Sequence, residues 1–336
     1  MRVVVLGQGV IGLTCAHALA RAGVEVEIYS GLPPLQTTST VACAVWLPIF
    51  LSAEDEETEA VNPAVIREWA KRSYDTFSGL VSREIGIARM TLHRLGSSEK
   101  DAPDVKDLVP NLTYRILDGA PAEMSHVWTF PSFVIDMPQY MKWLASSVEE
   151  LGVVSHCPSH YSTLQEAITE TAATLLVNCA GLGARELCND TSLRGVKGVL
   201  LLKQSVGLSG IVSWGEYVLA PRMQELVAGA LYEPEYTSER VEQGEVDRLE
   251  RQHSTWPRAC LDLVGTTSAE LKAARTLDTV TGLRPVRAGG VRFGLQEIAG
   301  CKVLHNYGHG GAGVTLSWGS AIAVRDMIMS RTELVR

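Results

Sequence analysis

The chain has 336 residues, 46% hydrophobic and 20% charged, with a net charge of −8 at neutral pH. Its length suggests about two domains, and its acidic balance excludes a basic nucleic-acid surface. No apolar stretch approaches the ~20 residues needed to cross a bilayer, and the seven cysteines, odd in number and without a C-x-x-C spacing, signal neither a disulfide framework nor a zinc site. A cytoplasmic, reducing compartment is the expectation, with no metal, membrane or nucleic-acid partner.

Arg2 to Leu6 reads as a β-branched strand that runs straight into Gly7-Gln8-Gly9-Val10-Ile11-Gly12, so it is not the apolar core of a signal peptide. Leu13 to Ala22 reads as a helix closed by Gly23, and Val24 to Tyr29 as the next parallel strand, which together make a βαβ unit. In the turn, Gly7 permits the tight bend, Gly9 leaves room for a pyrophosphate and Gly12 lets helix and strand pack closely. An acidic residue for the ribose is expected at the end of the second strand, yet Tyr29-Ser30-Gly31 stands there, leaving the Ser30 hydroxyl as the candidate.

Thr37-Thr38-Ser39-Thr40 offers four hydroxyls, suited to a helix N-cap or to a phosphate and flavin contact. Ser52 to Glu59 reads as a solvated acidic loop or helix start, and Asn62-Pro63 opens a helix over Ala64 to Phe77. Roughly residues 50 to 130 carry no motif that can be placed. A strand at Thr174 to Val177 ends in the glycine turn Asn178 to Gly183 and returns to the first sheet. Stretches at Val196 to Lys203, Tyr217 to Ala220 and Leu226 to Leu231 have hairpin spacing, which predicts an antiparallel sheet in a second domain. Glu239 to Gln252 follows as polar helix, then a strand at Val303 to His305 and a helix at Leu316 to Met329.

Two segments carry chemistry. Gly282-Leu283-Arg284-Pro285-Val286-Arg287 presents Arg284, whose planar fork suits a carboxylate as lysine does not. His305-Asn306-Tyr307-Gly308-His309-Gly310-Gly311-Ala312-Gly313-Val314-Thr315 puts four glycines within six residues after a strand, where backbone can touch a flat ligand. Its two histidines are not a helical metal pair, because the intervening glycines break a helix and no carboxylate or cysteine accompanies them. Arg222 follows Pro221 at the expected hairpin and reads as an exposed turn arginine, with pairing to an acidic side chain as the alternative.

Both segments, and Thr37 to Trp46, resemble the motifs of FAD-dependent D-amino-acid oxidases. The resemblance implies an α/β fold with a discontinuous Rossmann-like FAD-binding domain (1–50, 150–195 and 285–336). A substrate domain (51–149 and 196–284) with a mixed or antiparallel sheet completes it. It further implies that Thr37, Thr38, Ala44, Val45, Gly310, Gly313, Val314 and Thr315 contact FAD, joining the turn residues Gly7, Gln8, Gly9, Val10, Ile11 and Gly12 and the candidate Ser30 read above. Ala44 stands where the family has glycine.

Arg284 would clamp the substrate carboxylate, the Gly311 carbonyl would accept from its amine, and Tyr232 would match a second active-site tyrosine. Tyr217 precedes its proline by one residue more than the family tyrosine, so it reaches the site only through a bulge, with Val218 there otherwise. The implied reaction is oxidation of a D-amino acid by hydride transfer from Cα to flavin N5, with O2 as acceptor and 2-oxo acid, ammonia and H2O2 as products. Alternatives are an amine oxidase for glycine, an N-methyl amino acid or a biosynthetic intermediate, and a non-catalytic redox sensor. A homodimer is compatible with this reading.

Overall fold

The computed structural model describes residues 1–48, 61–233 and 238–330, so the acidic run Ser52 to Glu59 lies outside the described residues. Fourteen strands and nine α-helices are formed among them. The strands are β1 (Arg2–Leu6), β2 (Glu25–Tyr29), β3 (Ile87–Gly96), β4 (Thr113–Ile116), β5 (His126–Ile135), β6 (Val154–His156), β7 (Leu175–Asn178), β8 (Leu193–Gln204), β9 (Gly210–Trp214), β10 (Tyr217–Arg222), β11 (Glu225–Gly229), β12 (Thr276–Arg287), β13 (Arg292–Ile298) and β14 (Cys301–Tyr307). The helices are α1 (Val10–Arg21), α2 (Pro63–Gly79), α3 (Met137–Glu150), α4 (Leu164–Thr171), α5 (Ala184–Leu187), α6 (Gln243–Ser254), α7 (Arg258–Asp262), α8 (Ser268–Ala273) and α9 (Gly313–Ser330).

One sheet has the order β13-β14-β7-β1-β2-β6, parallel except for β13 at its edge. β1 is buried on both faces, as its continuous apolar run requires. Val3 and Val5 pack with Leu13 and Leu19 of α1, and Val4 and Leu6 with Leu164 and Ile168 of α4. α1 packs on α9 and α3, and α2 on α9. Gly23 closes α1 at φ 80° as expected, and the Asn62 side chain accepts from Ala64 N at 2.9 Å to cap α2.

The second sheet has the order β12-β8-β11-β10-β9-β3-β5-β4, antiparallel except for β3 beside β9. Its two faces differ. Val199, Leu201, Leu219 and Ala228 turn to α6, α7 and α8, with Leu249, Trp256 and Leu261 filling the layer. Two ion pairs fasten α6 to β8, Lys197 to Glu245 at 2.8 Å and Lys203 to Glu250 at 2.6 Å. The opposite face carries Gly198, Leu200, Val218, Val227 and Ala230, and Cys43 packs against Leu200 and Leu202 there.

Arg287 belongs to the joint between the two sheets. Its Nε donates to Asp190 at 2.9 Å, and Tyr307 of β14 donates to the same carboxylate at 2.8 Å. Burial opposes ionisation of Asp190, but the hydrogen bonds from Ser192, Tyr307 and Arg287 outweigh it and hold the carboxyl at about 2. The folded pKa is depressed, so this contribution is complete above the unfolded carboxyl range near ~4 and is lost as pH falls through the folded value. Asp190→Asn should therefore cost about 2 kcal/mol at neutral pH, and much less near pH 2. Unfolding by denaturant at several pH values checks this; a pH-independent cost would show that packing and not charge is responsible.

Candidate functional site

β12 lies between the turn Thr38–Val41 and the turn Gly310–Ala312. From there a continuous set of contacts runs to the first glycine turn. Gly7 has φ 97°, and a β-carbon on Gly12 would stand 1.9 Å from the Gly7 carbonyl oxygen, so both positions need glycine. α1 starts at Val10 with Gly9 as a cap that makes no side-chain hydrogen bond. Its first amides therefore face the turn without intrahelical partners. Val10 N donates to Ser39 Oγ at 2.9 Å. On the same short turn, the Thr38 and Val41 methyls lie 3.1 and 2.8 Å from where a Gly282 β-carbon would be. Two residues along β12 is Arg284.

The Arg284 stem lies against exposed Gly311, its Cδ 3.7 Å from that residue's ideal β-carbon position, and its guanidinium stands 5.8 Å from the Tyr232 ring centroid. Nη1 donates to the carbonyls of Lys197 at 3.2 Å and Leu231 at 3.1 Å. Nε and Nη2 donate to no acceptor among the described residues, and no carboxylate there pairs with the group. Desolvation lowers its pKa, against the attraction of Glu216, Cys43 and Tyr232. Gly198 on β8 gives it room: a β-carbon there would lie 2.5 Å from Nη1. The arrangement is a half-buried, pre-set fork with two free donors.

Other expected site residues are placed as follows. Gln8 and Ser30 both donate to the Leu32 carbonyl, at 2.7 and 2.9 Å, at the end of β2 beside the glycine turn. Ile11 lies in the first turn of α1. The Thr37 hydroxyl donates to Pro34 O at 2.7 Å and so holds its own turn. Val314 and Thr315 are buried in the first turn of α9, just after Gly310, Gly311 and Gly313, and Thr315 Oγ1 both accepts from Leu47 N and donates to Leu47 O at 3.3 Å. Ala44 has φ 51°, the left-handed conformation for which the glycine at that place is suited, and its carbonyl accepts from Ile135 N at 2.9 Å while Val45 bridges Val134. A β-branched side chain is a poor fit there. Ala44→Val should lower stability by about 2 kcal/mol or more, whereas Ala44→Gly should change it by less than about 1 kcal/mol, strain relief offsetting lost burial. Thermal unfolding of the two variants tests the pair.

Tyr217 is not brought to Arg284. β10 pairs with β9 and β11 in unbroken register, Tyr217 opposite Trp214 and Val218 opposite both Ser213 and Gly229. Without a bulge, Tyr217 keeps to the α6 face, where its ring stacks on Trp214 and meets His253 edge-on, and Val218 takes the Arg284 face. Arg222 also differs from expectation: it is buried and paired with Glu225 at 3.0 Å, not exposed. His305 and His309 have separate surroundings. His305 Nε2 lies 3.0 Å from Gln296, whereas the His309 ring is buried in the glycine turn with Nε2 unpartnered. Burial holds both imidazoles neutral, at about 4 and about 3.

The sequence reading missed Ser39 as the group on Val10 N, the Lys197 and Leu231 carbonyls that aim Arg284, and Gly198 beneath it. Only Gly198 carried a signal, being an isolated glycine in a strand. The residues fit a flavin dinucleotide: an open helix N-terminus for the pyrophosphate, glycine backbone beside β12 for a flat ring, and a buried His309 nitrogen still lacking a partner.

The sequence model of the FAD dependent oxidoreductase family matches residues 2–327, and the chain belongs to that family. The chain is 31% identical over 329 residues to a D-amino-acid oxidase of Rubrobacter xylanophilus, covering 95% of this chain and 93% of that protein. It is 33% identical over 339 residues to a D-amino-acid oxidase of Streptomyces coelicolor, covering 95% and 94%. Among solved structures, the glycine oxidase of Geobacillus kaustophilus superposes with a TM-score of 0.74 at 18% identity, over 98% of this chain and 95% of that one. The resemblance read from the motifs is thus borne out: the protein is an FAD-dependent oxidoreductase with the fold expected from sequence. No helix among the described residues is long and apolar enough to cross a membrane.

Proposed function

We propose that this enzyme oxidises a D-amino acid to the imino acid, which water converts to a 2-oxo acid and ammonia, while O2 is reduced to H2O2. The observation that carries the reading is the Arg284 fork, half-buried, unpaired and held against Gly311. In this reading the sheet containing β1 and its helices form the FAD domain, and the second sheet supplies the substrate wall. FAD, when bound, supplies the acceptor for the hydride leaving Cα and the route by which O2 is reduced.

The residues do the positioning. Arg284 takes the carboxylate on its free donors, and the Gly311 carbonyl accepts from the amine, so two anchors fix which substituent of Cα points towards the glycine turn. Only one enantiomer then presents its hydrogen, and the relatives favour D. Tyr232 lies over the guanidinium and closes that side. The reacting amine must be neutral and no described side chain is placed as its base, so kcat/KM should rise with pH along a limb that follows the amine pKa of each substrate.

Peroxide release from a panel of D- and L-amino acids, glycine and N-methyl amino acids tests the reading in purified, cytoplasmically expressed enzyme. D-specific turnover is expected. The second reading, a glycine or N-methyl amine oxidase, is favoured by one observation: Val218 and not Tyr217 faces Arg284, so a small or substituted amine meets no hydroxyl from β10. Higher kcat/KM for glycine or sarcosine than for every D-amino acid would establish it.

A further inference from the structure

The sheet that carries Arg284 ends in a charged rim. Gly215 and Glu216 form the loop of the β9–β10 hairpin, with Trp214 paired to Tyr217 beneath it and Gly215 at φ 54°. The chain leaving β11 runs beside that loop, and Ala230 N donates to the Glu216 carbonyl at 3.0 Å. The next two residues frame Arg284, through the Leu231 carbonyl at 3.1 Å and the Tyr232 ring centroid at 5.8 Å. One backbone hydrogen bond thus joins Glu216 to the segment that holds the guanidinium.

Glu216 is exposed, and its carboxylate forms no ion pair or side-chain hydrogen bond among the described residues. The other charged groups nearby are committed. Arg94 of β3 donates to the Gly215 carbonyl at 2.8 Å and so fixes the loop. Glu233 is taken by Arg248, and Arg222 by Glu225 at 3.0 Å. Desolvation lowers the pKa of Arg284 and of Arg94, and in both Glu216 is the first charge that opposes it. Its field therefore reaches the fork although it pairs with neither arginine.

Leu200, Val218 and Ala230, on the same face as Arg284, are apolar. A substrate with its carboxylate on Arg284 and its amine at the Gly311 carbonyl turns its side chain away from the glycine turn and along this face. An aliphatic stem suits the apolar stretch, and the charge at the rim selects what the stem carries.

We propose that Glu216 is a specificity-determining residue that receives a cationic side chain, so that the preferred substrates are basic amino acids, bearing an ammonium or guanidinium, and acidic ones are rejected. The proposal rests on the reading that Arg284 takes the α-carboxylate. Attraction of the opposite charge and repulsion of the like charge act in one direction, so the two add in the discrimination between basic and acidic side chains.

Two measurements on the holoenzyme test it. Flavin difference spectra follow the binding of three acids of one chain length, ε-aminocaproate, caproate and adipate, without turnover. Wild type should bind ε-aminocaproate at least about tenfold more tightly than adipate. Glu216→Gln should bring ε-aminocaproate and caproate together, and Glu216→Lys should invert the order in favour of adipate. The loop is exposed, so both variants should keep the wild-type flavin-to-protein ratio, and Arg284→Ala should weaken all three acids. In steady-state kinetics, kcat/KM should fall in the order D-lysine, D-glutamine, D-glutamate, and Glu216→Gln should lower it for D-lysine at least about tenfold more than for D-glutamine. Adipate bound as tightly as ε-aminocaproate by wild type, or an order of the three acids unchanged by Glu216→Lys, would overturn the assignment. Ligand selectivity that depends on Glu216 without oxidation of any D-amino acid would support it and overturn the reaction proposed above instead.

Discussion

Arg284→Ala should lower kcat/KM by on the order of a hundredfold or more while leaving FAD bound. The loss is that of a charge-assisted fork, about 3 kcal/mol in a partly desolvated site, and each tenfold in rate corresponds to about 1.4 kcal/mol. Folding is expected to survive, because β12 is held to β8 through backbone pairing from Thr276 to Arg287 and the guanidinium is paired with no carboxylate among the described residues. Arg284→Lys should recover only a small part, since an ammonium keeps the charge but loses the fork. Steady-state kinetics together with the flavin-to-protein ratio decide it. Near-normal kcat/KM in the alanine variant would mean that the carboxylate is held elsewhere.

Gly12→Ala should yield protein that no longer retains flavin. The added methyl would meet the Gly7 carbonyl oxygen at 1.9 Å and its carbon at 2.8 Å. Both are backbone atoms, so the only relief is to lift α1 from the turn, which moves the first amides of the helix away from the pyrophosphate place. FAD affinity should fall at least about a hundredfold, or about 3 kcal/mol. Gly23→Ala is the control. At φ 80° it strains the backbone, but its β-carbon meets nothing within 4 Å, so it should cost about 1 kcal/mol of stability and leave the flavin ratio unchanged. A Gly12→Ala protein with full flavin would remove this turn from the cofactor site.

The two variants probe the parts of the molecule that were most legible. The β1–α1–β2 unit could be read because a buried parallel strand is a pure apolar run and its turn demands glycine at fixed places. β3 and β5 could not. Their ten residues mix Arg89, His93 and Arg94 with Leu92 and Leu95, and Pro131 interrupts β5, so neither period dominates. β12 was read as a motif and not as a strand because Gly282 and Pro285 argue against one; it tolerates the proline as the edge strand of its sheet. The candidate site could be read in its glycines and Arg284, whose types are dictated by contact. It was not legible at Tyr217, where facing depends on register with β9 and β11, a property of three strands and not of one.

The strand order of the first sheet has a consequence for how the protein is made. β1 is made well before its neighbour β7, which begins 173 positions later, and before β14, which completes that side and ends at Tyr307. α9, against which α1 packs, comes later still. The nascent chain thus carries the glycine turn Gly7 to Gly12 before the strands beside it exist. Cofactor capture is therefore expected only after β14 has been made, and translation stalled before it should leave a product that chaperones hold and proteases clear, however complete its β1–α1–β2 unit.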